Sequence, residues 1–127
     1  MSRARIFNPA VTLGFFAARR LEGKLILPYV LNQFSGALAA SLLLRGLFPQ
    51  HSSLGATAPA GSALQSLILE IILTALLMFV ILNVSVGAKE RGITAGIAVG
   101  SVIALEALFA GPISGASMNP ARSFARP

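Results

Sequence analysis

The sequence predicts an all-α integral membrane protein: a partial inverted-repeat helical bundle of three transmembrane helices with two Asn-Pro-Ala half-helices, one whole and one truncated. Three observations carry that expectation. The 127 residues are 55% apolar and only 11% charged, with a mean hydropathy of +0.80, whereas soluble domains carry about 25% charged residues. Three uncharged or nearly uncharged runs are each long enough to cross a bilayer. The tripeptide Asn-Pro-Ala occurs twice, in "IFNPAVTLGFF" near the start and in "GASMNPARSF" near the end.

The remaining composition excludes several classes. A net charge of +6 invites a nucleic-acid partner, but the ten Lys and Arg are scattered between apolar runs with no basic stripe and no stacking aromatics beside them. No nucleic acid is expected. With no cysteine, disulfides and thiolate metal sites are absent. There is no nucleophile–base pair and no metal-ligand cluster, so the sequence predicts no catalytic residue, no metal, no cofactor and no enzyme. The start "MSRARIF" has basic residues but no apolar core with a small-residue cleavage site, which argues against a signal peptide.

A bilayer crossing needs about 20 mostly apolar residues. The spans are placed at residues 25–44, 64–86 and 93–110. Pro28 falls in the opening turn of the first, where a missing N–H does little harm. A Pro/Gly/Ser loop, "FPQHSSLGATAPAGS", joins the first two, with His51 as a simple loop residue; the basic turn "GAKERG" joins the last two. Arg19, Arg20 and Lys24 precede the first span, while Lys89 and Arg91 separate the second and third. Three crossings in series put both groups on one face, and residues 48–61 opposite have no Lys or Arg. The positive-inside rule makes the basic face cytoplasmic, with Arg45 snorkelling. Integral multi-pass placement in the plasma (inner) membrane follows as the expectation.

Asn8 suits an N-cap and Pro9 the first helical position, with Ala10 following. The apolar run after them is too short to span, so residues 7–20 read as a re-entrant half-helix whose basic C-terminal pair complements the dipole. In residues 111–127 the lead-in "GPISGAS" reads as irregular backbone, and Asn119, Pro120 and Ala121 repeat the cap signature. An odd number of crossings between the copies brings them in from opposite faces, each with its N-terminus aimed inward. Irregular backbone at that depth is tolerated only beside a cavity or buried in protein. Gly96 and Gly100 form a GxxxG face, and Ser35, Gly36 and Ala37 a second small patch. Gln33 is expected to hydrogen-bond between helices, and Glu106 to lie near the outer surface. Glu70 is a charge within a span, at a cost of at least ~2.5 kcal/mol.

"FNPAVTLG" and "SGASMNPARSF" resemble the two signature loops of the major intrinsic protein family, the aquaporins and glycerol facilitators. The segment "AGIAVGSVIALEALFAGPISGASMNPARSF" is most similar to the nodulin-like and bacterial glycerol-channel branches. The resemblance implies a passive pore for water and small neutral solutes that excludes protons and ions. It implies that the Asn8 and Asn119 amides donate to a passing oxygen, and that Arg122 stands at the outer constriction. It matches Ala107 and Ala116 to two further constriction positions; both are small, which favours glycerol-sized polyols and neutral metalloid acids alongside water. The carbonyls of Ser114, Gly115 and Ala116 would form an acceptor ladder. Glu70 matches a buried carboxylate that accepts amides from the loop. A homo-tetramer in the complete protein and the lipid bilayer are the implied partners.

The family fold has six spans, and this chain matches three of them. Nothing in it corresponds to the two spans before the first loop or to the last span, so the expectation for residues 1–127 is one part of a complete pore. The alternatives are a non-conducting subunit that associates with full-length channels, or a non-functional fragment. A secondary transporter is disfavoured, since Glu70 has no partner charge near the midplane.

Overall fold

The computed structural model describes residues 6–85 and 92–125. Lys89 and Arg91 lie outside them, as do Arg3, Arg5 and the last two residues. The described elements are α1 (Pro9–Ala17), a 3-10 turn (Gly23–Leu25), α2 (Ile26–Leu47), α3 (Ala63–Val84), α4 (Ile93–Ser114) and α5 (Pro120–Phe124). No strand occurs among the described residues. Gly23–Leu47, Ala63–Val84 and Ile93–Ser114 are long and apolar enough to cross a membrane. At about 1.5 Å per residue, a 22-residue helix covers the ~30 Å hydrocarbon core. The chain divides into two compact units, Met1–Thr57 with Asn119–Pro127, and Ala58–Met118.

In the first unit, α1 is bounded by two different devices. Asn8 caps its start in extended backbone, with Pro9 at the first turn. Its end is a Schellman motif: Arg19 N–H donates to Phe16 O (2.9 Å) and Arg20 N–H to Phe15 O (2.8 Å), with Arg19 left-handed at φ 57°. Glycine usually fills that position because a Cβ is disfavoured there. Pro9, Val11 and Thr12 form the buried side of α1, which packs on α2. There Gln33 Nε2 donates to both Ile6 O and Thr12 Oγ1, each at 2.9 Å. The expected interhelical role of Gln33 is what the structure shows.

The second unit is an antiparallel pair. Ser66 Oγ and Ala60 N–H both donate to Ile113 O, so the start of α3 lies against the end of α4. Leu73, Leu77, Ala110, Ala116 and Met118 make the core. Glu106, Ala110 and Ser114 are the buried residues of α4, spaced four apart on the face that meets α3. Glu106 therefore does not lie at the surface as its sequence position suggested. It is 3% exposed, and neither carboxylate oxygen has a hydrogen-bond partner. Gly96 and Gly100 are exposed, and a methyl added at either meets nothing within 4 Å.

The third span outruns its expected end at residue 110. Pro112 removes only its own N–H from the ladder, and Gly115 N–H still donates to Gly111 O at 2.9 Å. Gly115, at φ 86°, then ends the helix. Ala116 and Met118 follow in left-handed backbone at φ 43° and 51°, so this segment cannot bond to itself. Its donors go to side chains instead. Ser117 N–H donates to Glu70 Oε1 (2.9 Å) and Met118 N–H to Glu70 Oε2 (2.7 Å). Ser114 Oγ also donates to Glu70 Oε1 (2.6 Å) and accepts from Ala116 N–H (3.2 Å). One carboxylate thus satisfies the donors that a buried, irregular segment would otherwise leave without partners.

Glu70→Gln puts an amide donor against one of two N–H groups. It is expected to lower stability in micelles by roughly 1.5–3 kcal/mol and to speed hydrogen exchange at Ser117 and Met118, while the middle of α3 stays protected. Leu73→Ala opens a cavity at a fully buried position; a loss of about 2 kcal/mol in SDS titration is expected, the low end of the soluble range, because lipid removes the water-transfer part of the cost.

Candidate functional site

The two Asn-Pro-Ala copies adopt the same local structure. Asn8 has φ −137° and ψ 119°, and Asn119 has φ −146° and ψ 107°. Asn8 Oδ1 accepts from Ala10 N–H at 2.9 Å. Asn119 Oδ1 accepts from Ala121 N–H at 3.0 Å and from Arg122 N–H at 3.4 Å. Each cap satisfies orphan amides of a helix start, and proline at the next position removes a donor that would otherwise need a partner.

With each Oδ1 turned back on its own helix, the amide nitrogen points away from it. Asn119 Nδ2 donates to Phe7 O at 3.1 Å, the carbonyl immediately before Asn8. This bond joins residues 112 positions apart in the chain and brings the two helix starts into direct contact within the first unit. The partial positive charges of both N-termini then lie side by side. The short α5 is held by neighbours rather than by its own length. Ser41 Oγ donates to Ala125 O, Thr57 Oγ1 to Ser123 Oγ (3.4 Å), and Phe34 meets Phe124 edge-on with centroids 5.4 Å apart.

Beside this junction lies an open groove of about 500 Å³, bounded by Phe7, Asn32, Gln33, Asn119, Arg122 and small residues of α2. Its polar groups are amides, one hydroxyl and one guanidinium, and none of its lining residues is acidic. Such a wall offers donors to an uncharged oxygen-bearing solute and nothing that neutralises a cation.

The structure brings Asn8, Pro9, Ala10, Asn119, Pro120, Ala121 and Arg122 into one unit, and Glu70, Ala107, Ser114, Gly115 and Ala116 into the other. Ala107 is exposed on α4. Ala116 is 1% exposed, and its methyl packs with Leu73 and Leu77 in the helix-pair core. The sequence reading missed the loop residues Leu54, Gly55 and Ala56, which also wall the groove. A turn signal, "SLGA", was their only trace.

Comparison with known proteins identifies the family. The family described as Major intrinsic protein matches the chain over residues 3–127. The chain is 50% identical over 117 residues to Aquaporin NIP1-4 of Oryza sativa subsp. japonica, covering 91% of this chain and 43% of that protein. It is 51% identical over 118 residues to Aquaporin NIP1-1 of Zea mays (92% and 42%), and 45% identical over 118 residues to Nodulin-26 of Glycine max (92% and 44%). The chain thus spans less than half the length of these relatives. Matched across nearly all of its residues and built from apolar spans, this multi-pass membrane chain belongs to the major intrinsic protein family.

Proposed function

We propose that residues 1–127 form part of a passive transmembrane channel for water and small neutral solutes, glycerol-sized polyols among them, that excludes protons and ions. The observation that carries this reading is the junction of the two helix starts, where Asn119 Nδ2 reaches Phe7 O beside an acid-free groove. Two positive helix ends and the Arg122 guanidinium repel cations. A water passing between fixed amide donors must accept from both, which turns its own protons outward and interrupts a proton wire.

In this reading Asn8 and Asn119 hold the solute oxygen, Arg122 donates at the outer constriction, and Ala107 leaves that constriction wide enough for a polyol or a neutral metalloid acid. The carbonyls of Ser114, Gly115 and Ala116 accept hydroxyls along the path, and Glu70 holds their segment in shape. The remaining walls come from spans of the kind the longer relatives carry, in a homo-tetramer. The membrane is the plasma (inner) membrane, with Arg19, Arg20, Lys24, Lys89 and Arg91 on the cytoplasmic face.

The test is stopped-flow light scattering on vesicles containing this chain joined to the complementary spans of a relative. Asn119→Leu and Arg122→Trp are each expected to reduce water and glycerol permeability about tenfold or more, the equivalent of one lost hydrogen bond of the stronger kind. Permeability indifferent to both substitutions contradicts the reading.

A further inference from the structure

A second groove adjoins the one described above. It is about 480 Å³ in volume, is walled mainly by Ile6, Phe7, Leu25, Pro28 and Tyr29, and has no charged residue in its lining. The two grooves share Phe7, Asn32, Gln33 and Gly36, so they meet on one flank of α2 and make a single corridor within the first unit. Asn32 stands nine residues into the span Gly23–Leu47, about 14 Å along its axis and near the middle of a ~30 Å hydrocarbon core. An exposed amide at that depth is costly unless it faces a water-filled cavity or a polar partner.

Of the four shared residues, Asn32 is the one whose side chain can serve a solute. Phe7 and Gly36 bring no polar side chain, and Phe7 O already accepts from Asn119 Nδ2. Gln33 commits Nε2 to Ile6 O and Thr12 Oγ1, and its Oε1 is buried out of a solute's reach. Asn32 Nδ2 donates to Pro28 O at 2.8 Å, which leaves Oδ1 and the second N–H for the corridor.

We propose that Asn32 is a further specificity-determining residue of the solute path: where the two grooves meet, its amide takes a hydroxyl of a passing polyol. The inference rests on the pore reading above and adds to it a solute contact on α2. A polyol that enters an apolar corridor leaves behind the water that satisfied its hydroxyls, and each hydroxyl both donates and accepts. Arg122 offers donors only, and Asn119 has its oxygen turned to its own helix. Asn32 Oδ1 supplies the amide acceptor that those two lack, and its second N–H can return a bond to the hydroxyl oxygen. Because the amide is uncharged, the contact lowers the barrier for a polyol without creating a cation site, and it stays weak enough to let the solute go.

The test uses the vesicles of the permeability assay, carrying this chain joined to the complementary spans of a relative, with Asn32→Val and Asn32→Thr. These two side chains have nearly the same branched shape and differ in the hydroxyl, so a role in filling space moves both alike. Asn32→Val is expected to lower glycerol permeability about tenfold, the equivalent of one lost hydrogen bond. Water permeability is expected to fall by about twofold or less, because a water in file keeps its neighbouring waters as partners. The Thr hydroxyl can donate one turn back along the helix and keep its oxygen as an acceptor, so Asn32→Thr is expected to hold glycerol permeability within about twofold of the parent. A second readout needs no flux: nuclear Overhauser contacts of the Asn32 side-chain N–H₂ group in the same ¹⁵N-labelled protein in lipid nanodiscs, expected to reach water. Contacts to lipid acyl protons alone, or equal glycerol permeability in the Val and Thr variants, overturn the assignment. If that happens while Asn119→Leu and Arg122→Trp still reduce permeability, the pore reading stands without Asn32. Parent vesicles no more permeable than empty ones overturn both.

Discussion

Every peptide group of this chain that lies at membrane depth must find its partner inside the protein, because lipid offers none. That constraint organises the structure. Along the three long helices it is met by the ordinary ladder. It is hardest to meet where the backbone leaves the helix, before Asn8 and between Ser114 and Asn119, and those are the places where buried or half-buried polar side chains gather. Gln33 and Thr12 serve the first segment, with Ile6 O accepting from Gln33. Glu70 and Ser114 serve the second. The asparagine caps complete the pattern, each turning its oxygen to its own helix and so leaving its nitrogen for a more distant task. For Asn119 that task is the bond from Nδ2 to Phe7 O.

The same logic explains which features were legible in the sequence. Asn-Pro is a local signal, since the cap accepts from amides two and three residues ahead and proline dispenses with one donor. Both half-helix starts could be placed to the residue, and three apolar runs gave the crossings. The limits of those runs were less certain. "GPISGAS" reads as broken backbone by composition, yet α4 continues through Pro112 to Ser114, because a proline in the last turn forfeits a single bond.

Other features were hidden because they depend on partners far along the chain. The left-handed Arg19 has none of the glycine that usually marks such a helix end. The burial of Ala116 in the cluster with Leu73 has no local trace, since smallness alone does not place a methyl. Glu106 looked superficial because it is charged and near a helix end, whereas its spacing with Ala110 and Ser114 marks the buried stripe. The reach of Asn119 to Phe7 crosses most of the chain and has no local trace at all.

That contact is the central claim. It is tested most directly by solid-state NMR on the chain in bilayers, measuring dipolar dephasing of the Phe7 ¹³C′ by Asn side-chain ¹⁵Nδ2 labels in an Asn83→Leu background that removes the Asn83–Phe79 pair, with Asn119→Asp as the control that keeps the cap and removes the nitrogen. Strong dephasing in the parent chain that is lost in the Asp variant is the expected result, as a 3.1 Å Nδ2–O bond to Phe7 requires. Dephasing unchanged by the substitution would mean that the two helix starts do not meet.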